Sequence, residues 1–305
     1  MRHVLLINPA AGKSNRTAEL TRAAASVFAR RTEPWEILST AYPGHARALA
    51  REIAARGEET IVYVCGGDGT LGEAADGLAG RKACALAPVP LGTGNDFVRY
   101  FGTDAPERFY ALAALADGVT RPIDLLRVNG RVCINIASAG FDAAVCARMP
   151  MYKRLPLVSG SAAYKLALAH GFFTAVKNRF SFEIDGVSAE AADYVFAVAA
   201  NGSFYGGGFH AAPRARLADG LIDLVRIPSM PRSQMLRMVG AYRRGEHLER
   251  YGWIRFTRCR SVRFLSEEPI GMNLDGEIVP MCDPLITVEP GALRLRVPAA
   301  LADKI

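Results

Sequence analysis

An α/β half followed by an all-β half is what this sequence predicts, on three observations. The first 120 residues alternate buried-strand and amphipathic-helix patterns. After about Pro122 the rhythm changes to the two-residue alternation of antiparallel strands. The length of 305 residues suits two domains at roughly 100–200 residues each. The expected boundaries are 1–122 and 123–298.

Each element follows from its own pattern. The apolar run 4–7 is closed by Asn8-Pro9, which makes a first buried strand and leaves too little for a signal peptide. Over 17–28, Leu20, Ala24, Val27 and Phe28 recur at helical spacing. Pro43 and Gly57 bracket a second helix with Ala46, Leu49, Ala50 and Ile53 on one face. Strands follow at 60–65 and 85–89, and helices at 71–79 and 106–116, the last ending at Gly118. Such alternation builds a parallel sheet between helical layers. In the second half, 131–137, 179–185, 193–200, 221–227, 261–265, 271–274 and 292–297 read as strands, and helices are confined to about 161–176 and 231–244. No repeat or low-complexity linker separates the halves, so a cleft between them is the expected ligand site.

With 50% hydrophobic and 22% charged residues, a disordered or collagen-like chain is excluded. The formal charge of +7 points to an acidic partner: a nucleotide, a nucleic acid or an anionic membrane surface. The best apolar run, from Tyr194 to Ala200, is of strand length, against the ~18–20 residues a membrane span needs, so no integral membrane segment is expected. Six cysteines (Cys65, Cys84, Cys133, Cys146, Cys259, Cys282) stand singly without a Cys-x-x-Cys. They read as core thiols of a reduced, cytoplasmic protein.

The chemistry-bearing segments lie where strands end. Gly67-Asp68-Gly69-Thr70-Leu71-Gly72 formally matches the dinucleotide G-x-G-x-x-G. The ribose-binding acid expected about 20 residues on is missing, and Asp68 would set a carboxylate against the pyrophosphate. An acid between glycines instead suits a Mg²⁺-nucleotide, or proton handling beside a transferred phosphoryl group. Asn8-Pro9-Ala10-Ala11-Gly12-Lys13 is a near miss to the Walker A loop, with Ile7 in place of its first glycine. It still offers backbone N–H groups and a lysine to a phosphate. A third loop, Pro90-Leu91-Gly92-Thr93-Gly94-Asn95-Asp96-Phe97, would complete one edge of the sheet. Further on, Gly206-Gly207-Gly208 implies unusual backbone angles or close approach to a ligand, a plain hairpin being the simpler reading. Asn273-Leu274-Asp275-Gly276-Glu277 is first a hairpin signal and second a pair of catalytic carboxylates.

Taken together, these segments resemble the catalytic family of diacylglycerol kinases, in particular soluble bacterial lipid kinases related to sphingosine kinases. Asn8-Pro9 with Gly12-Lys13, Gly66-Gly67-Asp68-Gly69-Thr70, the Pro90–Phe97 loop, Asn201 with Gly206–Gly208, Ala212-Pro213 with Asp219-Gly220-Leu221-Ile222-Asp223, and Asp275-Gly276-Glu277 fall in the family's order. The resemblance implies an N-terminal α/β nucleotide domain like that of NAD kinase, a C-terminal β-sandwich, and a tail (299–305) that can return to the first domain. It implies ATP against Asn8, Pro9, Gly12, Lys13, Arg16, Thr40, Gly66, Gly67, Asp68, Gly69, Thr70, Thr93, Asn95 and Asp96. Asp68 would act through Mg²⁺. Either Asp275 or Glu277 would take the proton from the lipid hydroxyl, with Asp124 supporting that base. A second, structural Mg²⁺ would sit at Arg216, Asp219 and Leu221, the arginine and leucine giving backbone carbonyls. One departure is Asp76, where the family more often has Asn; facing the site, it would add negative charge near the phosphates.

The expected reaction is ATP- and Mg²⁺-dependent phosphoryl transfer to a lipid hydroxyl, most simply that of diacylglycerol. The rivals are a kinase for a soluble acceptor such as NAD or a sugar phosphate, and a degenerate lipid- or nucleotide-binding module. Residues 1–122 carry 14 basic and 13 acidic side chains, and residues 123–305 carry 23 and 17. The excess lies in the lipid-binding half, in 143–182 with six basic residues and no acid and in 226–263 with ten against two. The expected partner therefore narrows from nucleic acid to an anionic membrane surface touched peripherally, with ATP as a local demand. A homodimer is left open.

Overall fold

The computed structural model describes residues 1–29, 31–141, 151–152, 166 and 178–305. Apart from Leu166, the helix expected at 161–176 lies outside the described residues, as does most of the basic segment 143–182.

Strands β1 (Arg2–Ile7), β2 (Trp35–Ser39), β3 (Thr60–Gly66) and β4 (Cys84–Pro90) form a parallel sheet in the order β2-β1-β3-β4. β1, β3 and β4 are buried along almost their whole length, as a sheet covered on both faces requires. Helices α1 (Thr17–Phe28), α2 (His45–Ala55) and α3 (Asp68–Leu78) cross over between them. Leu20, Ala24 and Phe28 of α1 and Ala46, Leu49, Ala50 and Ile53 of α2 are buried, the faces their spacing predicts. After β4 come a short α4 (Asp96–Arg99), α5 (Ala105–Tyr110) and α6 (Leu112–Ala116). The single helix expected at 106–116 is thus two, divided at Ala111, whose φ of −74° and ψ of 93° are extended.

β5 (Val119–Val128) and β17 (Leu285–Val297) tie the halves together. They pair antiparallel in two stretches, 119–123 with 293–297 and 125–128 with 286–289, and Leu295 also meets Leu86 of β4. Between the stretches the register shifts opposite Asp124. β2 and β5 are absent from the sequence expectations for physical reasons. β2 is a sheet edge of only partial burial, so its apolar alternation is weak. β5 contains Arg121, Pro122 and Asp124; Pro122 is tolerated because β6 (Arg131–Cys133) pairs only with Leu126–Val128, leaving that flank of the strand as an edge.

The second half is a sandwich in which β9 (Val187–Ala200) serves both layers. Its first part pairs with β8 (Asn178–Ile184), followed by β14 (Ser261–Leu265), β17, β5 and β6. Its second part lies between β7 (Ile136–Gly140) and β12 (Ile222–Pro228), flanked by β15 (Ile270–Leu274) with β16 (Glu277–Met281) and by β13 (Arg255–Cys259). Phe182 packs between Tyr194 and Phe264, with ring centroids 5.2 and 4.9 Å away. Each fully buried side chain of this kind contributes about 1.5–3 kcal/mol. The outer face of β9 and β12 is covered by α7 (Arg232–Arg244) through Met235, Met238 and Tyr242, and α8 (His247–Arg250) follows. A small hairpin, β10 (Phe204–Tyr205) with β11 (Phe209–His210), lies beside α7. The final turn, Ala299–Lys304, packs on the first half: Leu301 is buried, and the Tyr100 hydroxyl donates to the Lys304 carbonyl at 3.0 Å.

The strand expected at 131–137 is two strands. At the break, the N–H groups of Ile134 and Asn135 leave the ladder and donate to the Asp275 carboxylate.

Candidate active site

Loops at the C-terminal tips of β1 to β4 enclose an open groove of about 650 Å³. It brings together Asn8, Pro9, Gly12, Thr40, Gly67, Asp68, Gly69, Thr70 and Thr93 of the expected nucleotide residues. The loops are braced against one another: Asn8 Nδ2 donates to Thr70 Oγ1 at 2.9 Å, and Asn8 Oδ1 accepts from the Ala10 N–H. Gly12 has φ +81°, and a Cβ there would meet the Leu91 carbonyl oxygen at 2.5 Å, so only glycine lets these loops close. Gly67, the N-cap of α3, has no side chain to cap the helix, and the first turn of a helix is where backbone N–H groups suit an anion.

The remaining expected residues lie around this groove. Gly66 forms the end of β3 behind it, and Asn95 adopts φ +51° with its Nδ2 donating to the Gly92 carbonyl. Lys13 is exposed on the first loop. Arg16 is engaged by both Glu19 oxygens at 2.8 Å and lies over the Tyr110 ring; reaching a phosphate would require it to leave that pair. Asp76 faces α2, where Arg47 at 2.5 Å and Arg51 at 3.8 Å balance its charge.

Asp68 and Asp96 converge on Gly94. A Cβ on that glycine would sit 2.9 Å from Asp68 Oδ2 and 3.6 Å from Asp96 Oδ2. Burial, with the Asp96 charge and then that of Asp275 adding to it, pushes the Asp68 carboxyl up to about 6. Burial also raises Asp96, which is eased by the Gly207 N–H donating to it at 2.8 Å. The three consecutive glycines, all at positive φ, thus cradle a carboxylate of this chain.

Asp275, at φ +50°, is held by four donors. Its Oδ1 accepts from the N–H groups of Asn135 and Ile136, both at 3.0 Å, and from the Cys133 thiol at 3.2 Å; its Oδ2 accepts from Ile134 N–H at 2.8 Å. Burial still raises its pKa against these donors. Oδ2 faces α3: a Cβ on Gly72 would be 3.7 Å from it. Glu277, by contrast, is exposed and pairs with Arg131 at 2.8 Å. Asp124 is buried, its oxygens accepting from the Gly220 and Gly291 N–H groups at 2.7 and 2.8 Å. Its link to Asp275 is indirect: Asn201 Nδ2 donates to the carbonyls of Asp124 and Ile134. Asp219 accepts from the Leu221 N–H at 3.1 Å, and Arg216 is exposed on the same turn.

Sequence reasoning missed Glu73, whose carboxylate accepts from the N–H groups of Gly44 and Ala46 at the start of α2. The available signal was Gly44 itself, an N-cap with no side chain of its own, which needs an acid from elsewhere.

The model for the diacylglycerol kinase catalytic domain matches residues 2–128, and that for the YegS C-terminal NAD kinase β-sandwich-like domain matches 135–297. A Pseudomonas aeruginosa protein named probable lipid kinase YegS-like is 37% identical over 262 residues, 84% of this chain and 82% of its own. The chain belongs to the diacylglycerol kinase catalytic family. A Bacillus subtilis diacylglycerol kinase of that family is 32% identical over 241 residues, 78% of each chain. A solved diacylglycerol kinase from Bacillus anthracis superposes with a TM-score of 0.71 at 21% identity, covering 99% of this chain and 98% of that one; at that identity the likeness is one of fold. As a member of the diacylglycerol kinase family the chain is a kinase of lipid-kinase type, built from the NAD-kinase-like α/β and β-sandwich halves that its sequence predicts.

Proposed function

We propose that this protein transfers the γ-phosphoryl group of ATP to the hydroxyl of diacylglycerol or a closely related lipid. The observation that carries the reading is the approach of Asp275 Oδ2 to Gly72 of α3, the helix that begins with Asp68. Asp68 belongs to the α/β half and Asp275 to the sandwich half. The triphosphate would lie over the α3 N-terminus and the Asn8–Gly12 loop, with Gly69, Thr70 and Thr93 shaping the walls and Gly66 and Asn95 supporting them from behind. The acceptor oxygen attacks the γ-phosphorus, its proton passes to Asp275 Oδ2, and the bond to the β-phosphate oxygen breaks to release ADP. Of the two carboxylates in the late turn, Asp275 suits the base because it is half-buried and fixed by four donors, whereas Glu277 is paired with Arg131 in solvent.

The residues fit a divalent cation. Asp68 is a carboxylate whose ionisation is opposed by burial and by Asp96 and Asp275, a situation that a hard cation relieves. When bound there, Mg²⁺ supplies neutralisation of phosphate charge. Among the described residues no three His, Cys, Asp or Glu side chains gather in metal-binding range. A second cation at Asp219 would therefore rest on backbone carbonyls such as those of Arg216 and Leu221. We assign 1–122 to ATP, 123–298 to the lipid, and 299–305 to bracing the first half.

The membrane side of the reading is supported by α7. Arg237 and Arg243 are exposed on it, as is Leu236 beside Arg237, 62% exposed, and the helix carries no acid. Among the described residues no helix is long and apolar enough to cross a membrane, so contact would be peripheral.

Steady-state kinetics on diacylglycerol test the assignment. Asp275→Asn should lower kcat by about 10²–10⁴, the range of a general base. Glu277→Gln should stay within about threefold, as its surface ion pair contributes little. The reverse ranking would move the base to Glu277.

A further inference from the structure

The groove has a direction. Its four walls come from adjacent strand tips in the order β2, β1, β3, β4. At about 4.8 Å per strand, the β3 and β2 tips are roughly 10 Å apart, a span the phosphate chain and ribose of an extended nucleoside triphosphate can bridge. The reacting end is at β3, where Asp68 opens α3 and Gly72 faces Asp275. The phosphate chain crosses the β1 loop, and the base must then reach the tip of β2.

What stands there is Tyr42, the one aromatic side chain among the described residues lining the groove. It is 60% exposed, yet it is held in place. One face stacks on the His45 imidazole, with centroids 4.4 Å apart and 12° between planes. His45 is fixed in turn by the Ala41 N–H donating to its Nδ1 at 3.0 Å. The start of α2 that carries His45 is clamped by Glu73 through Gly44 and Ala46. Core packing does not explain an exposed ring that is oriented by a histidine and a clamped helix start. A stacking surface prepared for a flat ligand does.

Resting on the reading of this groove as the ATP site, we propose that Tyr42 is the platform on which the adenine ring stacks, with His45 as its positioning residue. Base-on-aromatic stacking is sequence-tolerant, since every base has a π-face. Tyr42 therefore sets affinity for the base rather than choosing among purines.

Calorimetry on the full chain with Mg²⁺ tests this without any lipid, using ATP and inorganic tripolyphosphate as probes. Tyr42→Ala should raise the Kd for ATP about tenfold and leave that for tripolyphosphate unchanged. Tyr42→Phe should bind ATP like the wild type, and His45→Ala should fall between. An unchanged ATP Kd in Tyr42→Ala, or equal weakening of both probes, overturns the platform. Failure of the wild-type protein to bind either probe overturns the nucleotide groove itself, and the platform with it.

Discussion

Asp68 carries the largest electrostatic load in the groove. Its carboxyl is pushed up to about 6 by burial and by Asp96 and Asp275, above the usual value near 4. The folded chain therefore binds this proton more tightly than the unfolded chain, and stability falls as pH rises from about 4 through about 6. Asp68→Asn should thus stabilise the ligand-free protein at pH 7, by on the order of 2 kcal/mol. The gain should vanish near pH 3, where the wild-type carboxyl is also neutral. The same variant should lose phosphoryl transfer. Thermal melts of both proteins across pH check this, and a destabilised Asp68→Asn at pH 7 would contradict the electrostatic account. Asp68 and Asp275 were legible as motif acids. The donors around Asp275 were not, because three of the four are backbone N–H groups of 134–136, and no residue type advertises an N–H that leaves a strand.

At the scale of elements, α3 joins the two halves of the proposed chemistry: it begins with Asp68 and faces Asp275 at Gly72. Gly72 lies within it, and nothing comes closer than 3.7 Å to a Cβ placed there. Alanine in a helix interior is favoured over glycine by about 1 kcal/mol. Gly72→Ala should therefore fold and melt slightly higher while losing most lipid phosphorylation, because its methyl occupies the space before Asp275 Oδ2. Circular dichroism melts and a turnover assay separate the two effects; unchanged activity would remove the acceptor from that space. The elements of the first half were read well because each has a buried face that repeats. β2 and β5 escaped because an edge strand and a strand holding Arg121, Pro122 and Asp124 break that repetition. The division at 134–135 escaped because Asp275, which causes it, lies some 140 positions later.

For the whole molecule, part of the uneven charge of the sequence falls, among the described residues, on the acid-free helix α7, the surface proposed for membrane contact. Each arginine near an anionic surface is worth about 1 kcal/mol and is screened within a Debye length. Binding to vesicles rich in anionic lipid should fall steeply with salt and weaken in Arg237→Glu with Arg243→Glu. Co-sedimentation that ignores both salt and these charges would move the contact elsewhere. The α/β half followed by a β-sandwich half was foreseeable from the change of rhythm near Pro122; the groove itself is lined by residues of the first half, not by both. The passage of β5 and β17 through both halves was not, since strand pairing between distant segments leaves no local signature. The most direct test of the central claim is transfer of label from γ-labelled ATP, with Mg²⁺, to diacylglycerol in vesicles, run beside NAD as a soluble acceptor. The account predicts labelled phosphatidic acid from the wild-type protein, almost none from Asp275→Asn, and no labelled NADP. Label on NAD and none on any lipid would contradict it.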